Sequence, residues 1–272
     1  MPRPTISPTH SRSEAKSPVL VEALEYLVTP CPRWARRLDL LHQAVSLRAR
    51  HRRLRAVWEP HLAACHRFIA GAAARVPAGG RAVVLGSGLL IELPVEALAA
   101  RFSEVVLVDA VHCLPERWRL RRWPNLRRLE ADITGVLEAL SGPELPEPQL
   151  PLAGQRFDFA VSANLLSQLP LFPLWHLDGK HPAADLDAFA RALIGRHLDG
   201  LRALAPVSCL ISDFEHLFLD GERLIERDDL LHGVPLPLPD AEWLWEIAPR
   251  PEASPDYDVR HRVGGWVFGG EG

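Results

Sequence analysis

The sequence predicts an α/β fold: strands alternating with helices on a mostly parallel sheet, an antiparallel pair of strands at the end, and a helical extension in front. Three observations predict it. Two continuous apolar runs, at residues 82–85 and 105–108, are joined by helix-forming residues, which is how strands covered on both faces of a parallel sheet read. The first run breaks at Gly86-Ser87-Gly88, where glycines let the chain turn sharply and come close to a ligand. The tail carries two strand-like stretches, 242–247 and 257–268, with no helix between them.

Composition sets the outer bounds. The 272 residues, 47% of them hydrophobic, suffice for one large domain or for a domain with an extension. No uninterrupted apolar stretch reaches the roughly 18 residues of a membrane span, and the N-terminus lacks the apolar segment of a signal peptide. A cytoplasmic location with no membrane partner is the resulting expectation. Cys31, Cys65, Cys113 and Cys209 are widely spaced, so they read as small buried residues in a reducing compartment, and no metal site is expected. Residues 1–80 hold 13 Lys or Arg against 5 Asp or Glu, a surplus of +8, which leaves −11 on the remainder of a chain of net charge −3. A basic front section on an acidic body either docks there or attracts an anionic substrate.

Residues 1–17, rich in Pro, Ser and Thr, read as a mobile tail. Residues 18–57 are predicted to form a helical extension that covers the substrate pocket. It comprises a short helix over 19–28, stopped by Thr29-Pro30-Cys31-Pro32, and a second over 33–55. In the second, Leu38, Leu41 and Val45 keep helical spacing while Arg36, Arg37, Arg50, Arg52, Arg53 and Arg55 form a basic face. That face reads as solvated before it reads as an anion clamp. The main domain is predicted over 58–272. A third helix over 58–76, with Pro60 in its first turn, leads into the first strand, the glycine turn, and a helix to about Ala100 whose N-terminus offers unpaired N–H groups to an anion. Asp109 closes the second strand, where a mononucleotide fold binds ribose hydroxyls. Further strands are predicted at 126–133, ending on Asp132-Ile133; at 157–163, ending before Asn164; and at 207–212, opening into Asp213-Phe214-Glu215-His216. Residues 141–155 are too proline-rich for regular structure, 170–182 read as a covering loop, and 185–204 as a helix.

Over residues 58–268 this order resembles the class I S-adenosylmethionine-dependent methyltransferases. The resemblance implies a doubly wound, seven-stranded, mostly parallel sheet with an antiparallel last strand, S-adenosylmethionine as cofactor, and methyl transfer as the activity. It also implies that Leu85, Gly86, Ser87 and Gly88 wrap the methionine part of the cofactor, that Asp109 with the adjoining Ala110 meets the ribose, and that Asp132 and Ile133 lie beside the adenine. Asn164 falls at the strand end near the transferred methyl. Val84 and Leu90 stand where many members have an acidic residue and a third glycine, so either another residue contacts the cofactor's amino group or the cofactor is lost. A dinucleotide-binding oxidoreductase using NAD(P) shares the turn and the acid, but Ile91 stands where its fingerprint needs a glycine. A catalytically silent binding protein of the same fold is the other alternative.

Methyl transfer is an in-line displacement that asks chiefly for alignment, and a carboxylate or His assists when the acceptor must lose a proton. Asn164 and Gln168, four apart, share a face of any helix that begins there. Asp213, Glu215 and His216 follow the fifth strand, and His176 and His181 lie in the loop before it. Plainer readings stand beside these: Asn164, Asp109, Asp132 and Asp213 as caps of turns, and each His as a surface residue. His61 and Cys65 are also four apart, but two ligands make half a metal site. Trp58, Trp118, Trp123 and Trp175 read as packing residues without an RNA-binding signature, which favours a small-molecule or peptide acceptor over a nucleic acid. Nothing in the sequence sets an oligomeric state.

Overall fold

Val83 and Leu85 point to one face of the first strand and Ala82 and Val84 to the other, and all four are fully buried, so this strand is covered on both sides. The computed structural model describes residues 16–152 and 154–270. Its strands are β1 (Arg81–Leu85), β2 (Glu104–Asp109), β3 (Leu126–Glu130), β4 (Phe159–Ala163), β5 (Val207–Asp220), β6 (Arg223–Asp229), β7 (Ala241–Ala248) and β8 (Asp258–Gly269). They form one sheet in the order β3-β2-β1-β4-β5-β8-β7, with β6 paired to β5. The first five are parallel to one another, and β8 runs antiparallel between β5 and β7. This is the doubly wound sheet with an inserted antiparallel last strand that the resemblance implies. The order reverses between β1 and β4, and a crevice opens at such a switch point, outside the carboxyl ends of the strands.

The helices among the described residues are α1 (Lys16–Val28), α2 (Arg33–Arg37), α3 (Leu40–Arg53), α4 (Arg55–Ala73), α5 (Val95–Arg101), α6 (Leu114–Leu120), α7 (Leu171–Leu177) and α8 (Ala183–Leu204). Trp58, Ile69 and Leu98 of α4 and α5 pack on Val84, Val161 and Val263, while Ile194, Leu198 and Leu201 of α8 pack on Val83, Leu85 and Ala160. Each such buried side chain contributes about 1.5–3 kcal/mol. No helix among the described residues is long and apolar enough to cross a membrane.

The N-terminal helices lie over the carboxyl ends of the strands. Ala35, Leu41 and Val45 pack on Leu89, Val111 and Cys113, which follow β1 and β2. Leu38 and Leu40 lie against the cluster of Val136, Leu137 and Leu177, which follow β3 and β4. Arg48 of α3 fastens this layer through Glu25 of α1, 2.8 Å away, and through Glu116 of α6. Much of the basic face is docked: Arg53 reaches Glu252 at 2.6 Å and Arg50 reaches it at 3.5 Å.

Several elements differ from the sequence-based expectation. The sheet has eight strands, because Asp220-Gly221 starts a hairpin, with Gly221 at φ 64, that extends β5 eight residues past Ser212 and returns as β6. No helix follows directly on the glycine turn: residues 89–94 form a loop with Leu90 at φ 58, and α5 begins only after Pro94, whose ring disfavours helix in the residue before it. The helix expected over 33–55 breaks at Asp39, which sits at φ 60. The next helix starts at Arg55, which puts Pro60 beyond its first turn and the expected domain boundary inside it. Strand β3 stops at Glu130, before Asp132, and the loop expected at 170–182 contains α7. The predicted tail falls mostly on residues 1–15, outside the described residues; Lys16 and Ser17 already belong to α1.

Candidate active site

The turn after β1 and the acid after β2 meet directly. Gly86 and Gly88 have φ of 78 and 30, and the N–H of Gly88 donates to Asp109 Oδ2 at 2.7 Å. A Cβ on Gly86 would come 2.9 Å from the Leu165 Cβ and 3.0 Å from the Ala163 carbonyl oxygen, so the end of β4 closes on the turn and only glycine fits. Burial pushes the Asp109 carboxyl above its ordinary value, while His112 and the N–H groups of Gly88, Val111 and Ala110 pull it down. Its Oδ1 has one long contact, from the Val111 N–H at 3.4 Å, and keeps acceptor capacity. Leu85 is sealed in the sheet, and Ala110 packs toward the N-terminal helices.

Ser87 faces inward, with its Oγ 2.8 Å from Nε2 of the fully buried His112. His112 Nδ1 faces Glu130 at 3.1 Å and donates to it, which leaves Nε2 to accept the serine hydroxyl. That bond from His112 holds the Glu130 carboxyl below its ordinary value, with Arg117 and Arg128 assisting against burial. Arg117 donates to Glu130 and to the Pro30 carbonyl, each at 2.9 Å. A continuous chain of hydrogen bonds thus runs from the glycine turn to the segment before α2. The order Ser–His–Glu also serves acyl transfer, but Ser87 is 2% exposed and the neighbouring Gly88 N–H is taken by Asp109, so no donor awaits an oxyanion.

A second polar cluster joins the end of β4 and the middle of β5 to α4. Asn164, at φ 50, donates from Nδ2 to Glu92 Oε1 at 3.0 Å and accepts the Asp213 N–H on Oδ1 at 3.2 Å. Trp243 donates from Nε1 to His61 Nδ1 at 3.0 Å, which fixes the His61 proton on Nε2, 3.3 Å from the same Glu92 oxygen. Asp213 is fully buried, accepting from Ser167 Oγ on one oxygen and from His261 Nδ1, 2.5 Å away, on the other. His261 Nε2 is buried without a partner, and the His216 ring meets the His261 ring edge-on at 4.2 Å. Burial pushes His216 down to about 4, with His261 adding to the shift and Asp213 opposing it.

The structure therefore brings Gly86, Ser87, Gly88 and Asp109 together, and likewise Asn164, Asp213 and His216. Gln168 does not join them: residues 166–168 form a single 3₁₀ turn in place of a longer helix, and Gln168 is exposed. His176 stacks on Phe172 within α7, their centroids 6.2 Å apart, and neither it nor His181 hydrogen-bonds to the cluster. Glu215 is held by Arg262 at 2.9 Å and Arg227 at 3.2 Å. Both Asp132 oxygens accept N–H groups of their own turn, from Thr134 and from Leu137 at 2.8 Å each, and Ile133 is buried beneath. Trp118 and Trp175, read as packing residues, are 63% and 74% exposed. Sequence reasoning missed Glu92, His112, Glu130 and His261 and set His61 aside. His261 was findable: in Val259-Arg260-His261-Arg262-Val263 it occupies the buried phase of an alternating strand.

No family model matches this sequence, and no curated protein does. Among solved structures the chain is similar to a 1,6-didemethyltoxoflavin-N1-methyltransferase from Burkholderia thailandensis with bound S-adenosylhomocysteine, at 14% identity over 94% of this chain and 93% of that one, with a TM-score of 0.37. It is also similar to a phosphoethanolamine N-methyltransferase from Haemonchus contortus, at 11% identity over 80% of this chain and 49% of that one, with a TM-score of 0.33. A third is a cyclopropane-fatty-acyl-phospholipid synthase-like protein from Lactobacillus casei, at 16% identity over 66% and 58%, with a TM-score of 0.34.

Proposed function

We propose that this chain is an S-adenosylmethionine-dependent methyltransferase, holding the cofactor across the carboxyl ends of β1, β2 and β4 and passing its methyl group to a small-molecule or peptide acceptor. The observation that carries this reading is the 2.7 Å bond from Gly88 N–H to Asp109 at the carboxyl ends of the strands in a sheet of this order, since it brings turn and acid together beside the switch point. The residues fit such a group. Gly86, Gly88 and Asp109 are each only partly buried, so the turn is open to close approach and Asp109 Oδ1 remains available to a ribose hydroxyl. Ile133, with the turn tied by Asp132, borders the adenine side.

When bound, the cofactor supplies a methyl group on a positively charged sulfur. The chain's own residues supply alignment and dryness. Helices α2 and α3 cover the crevice with apolar side chains. On the acceptor side stands Asn164, whose amide oxygen is held by the Asp213 N–H, while the buried Asp213–His261 pair fixes that stretch of β5 from beneath.

Thermal unfolding with added nucleosides tests the reading. S-adenosylmethionine or S-adenosylhomocysteine at a hundredfold excess over its dissociation constant stabilises the fold by about 2.7 kcal/mol. Asp109→Ala removes most of that gain. Stabilisation by NAD in place of S-adenosylhomocysteine would put an oxidoreductase in its stead, and no response to either would leave a binding role without this cofactor.

A further inference from the structure

Glu92 is a carboxylate short of a positive charge. It lies in the loop that follows the glycine turn, 19% exposed, and its partners among the described residues are both neutral. Asn164 is an amide, and His61 accepts the Trp243 N–H on Nδ1 and so carries one proton only. Both act on Oε1, and Oε2 has no hydrogen-bond partner among the described residues. A half-enclosed carboxylate is costly without a cation beside it. The feature that holds it in place is also unusual: Asn164 adopts a left-handed backbone, locked by its amide oxygen on the Asp213 N–H. The cluster sits at the carboxyl ends of β1 and β4, where Leu85 pairs with Ser162, and Asp109 ends the strand on the other side of β1. The strands that end at Asp109 and just before Asn164 are two interstrand spacings, roughly 10 Å, apart, and Glu92 is bonded to Asn164. One amino acid joined to one ribose bridges such a gap.

We propose that Glu92, positioned by Asn164, receives the α-ammonium group of the cofactor's amino-acid portion, taking the part left vacant by the apolar Val84. This rests on the methyltransferase reading above. Asp109 then grips the sugar end and Glu92 the charged end of the same molecule. The shape of the chain agrees, since the loop that carries Glu92 is the one that displaces the helix from the glycine turn.

Calorimetry with two ligands separates these roles: S-adenosylhomocysteine, and 5′-methylthioadenosine, which has the same nucleoside thioether without the amino acid. In Glu92→Gln, binding of S-adenosylhomocysteine weakens roughly 10- to 100-fold, the worth of one charged hydrogen bond, while 5′-methylthioadenosine binds as to wild type. Asp109→Ala weakens both. Equal weakening of both ligands by Glu92→Gln, or neither, overturns the assignment and leaves Glu92 as scaffold. Wild-type protein that binds neither ligand overturns the methyltransferase reading itself, and this inference with it. The contact is read independently from the ligand side, should the variant fold poorly: S-adenosylhomocysteine lacking its α-amino group binds wild type at least 10-fold more weakly, and equal affinity refutes the proposal.

Discussion

His197 lies on the buried face of α8, with Ser162 Oγ 2.8 Å from Nε2 and no partner for Nδ1 among the described residues. Burial pushes its imidazole from an ordinary 6.5 down to about 4. Between those values the unfolded chain binds a proton that the folded chain refuses, so this contribution is intact above pH 6.5 and stability falls as the pH drops toward 4. The full effect is on the order of 3 kcal/mol. Urea unfolding of wild type and His197→Phe at pH 7, 6, 5 and 4.5 checks it: the variant loses less stability on acidification, and parallel curves would show that His197 does not titrate. His216 acts in the same direction, being held near 4 on the sheet. Neither effect is visible in the sequence, where His197 is one position of a predicted helix and His216 reads either as a catalytic candidate or as a surface residue. What decides their state is the packing of their own elements on strands tens of residues away, β4 for His197 and β8 for His216.

Among the elements, the N-terminal layer depends on Arg48, which joins α1, α3 and α6 through two buried carboxylates. Arg48→Ala leaves Glu25 and Glu116 enclosed without a cation, a loss of roughly 3–5 kcal/mol. Limited proteolysis of the variant then cuts ahead of α4 faster than in wild type, and the melting temperature falls. A melting point within about 2 °C of wild type, with unchanged cleavage, would show that apolar packing alone docks the layer. The periodicity of Leu41 and Val45 revealed the helix, but nothing in the sequence set Arg48 apart as the residue on which two distant carboxylates converge. Strands β1, β2 and β4 were legible because both their faces are apolar. Strand β6 was not, because all its residues are exposed and only the pairing with β5 defines it. The break at residues 89–94 was obscured by good helix formers on either side of Pro94.

For the molecule as a whole, sheet order brings distant stretches of sequence together at the carboxyl ends of the strands. Gly88 and Asp109, 21 positions apart, touch because β1 and β2 are parallel neighbours, and the spacing of a glycine turn and a strand-end acid was enough to foresee it. Glu92 and Asn164, 72 positions apart, touch because β4 lies on the other side of β1, and no local pattern encodes that. The opposed charges of the two ends of the chain have a similar outcome: arginines of α3 reach Glu252 near the far terminus, tying front to back.

The hairpin that lengthens β5 leaves β6 with an unclaimed row of main-chain donors and acceptors along its outer rim, beside Leu224 and Ile225, which are about half exposed at 48% and 52%. Such a rim invites a strand from a neighbouring molecule, and the invitation is withdrawn here by Arg223, Glu226, Arg227, Asp228 and Asp229. Glu226→Val with Asp228→Val removes two of these guards, and light scattering on concentrated protein should then rise with time while the wild-type solution stays clear. Colloidal health in this chain is thus written into a seven-residue ribbon remote from its chemistry.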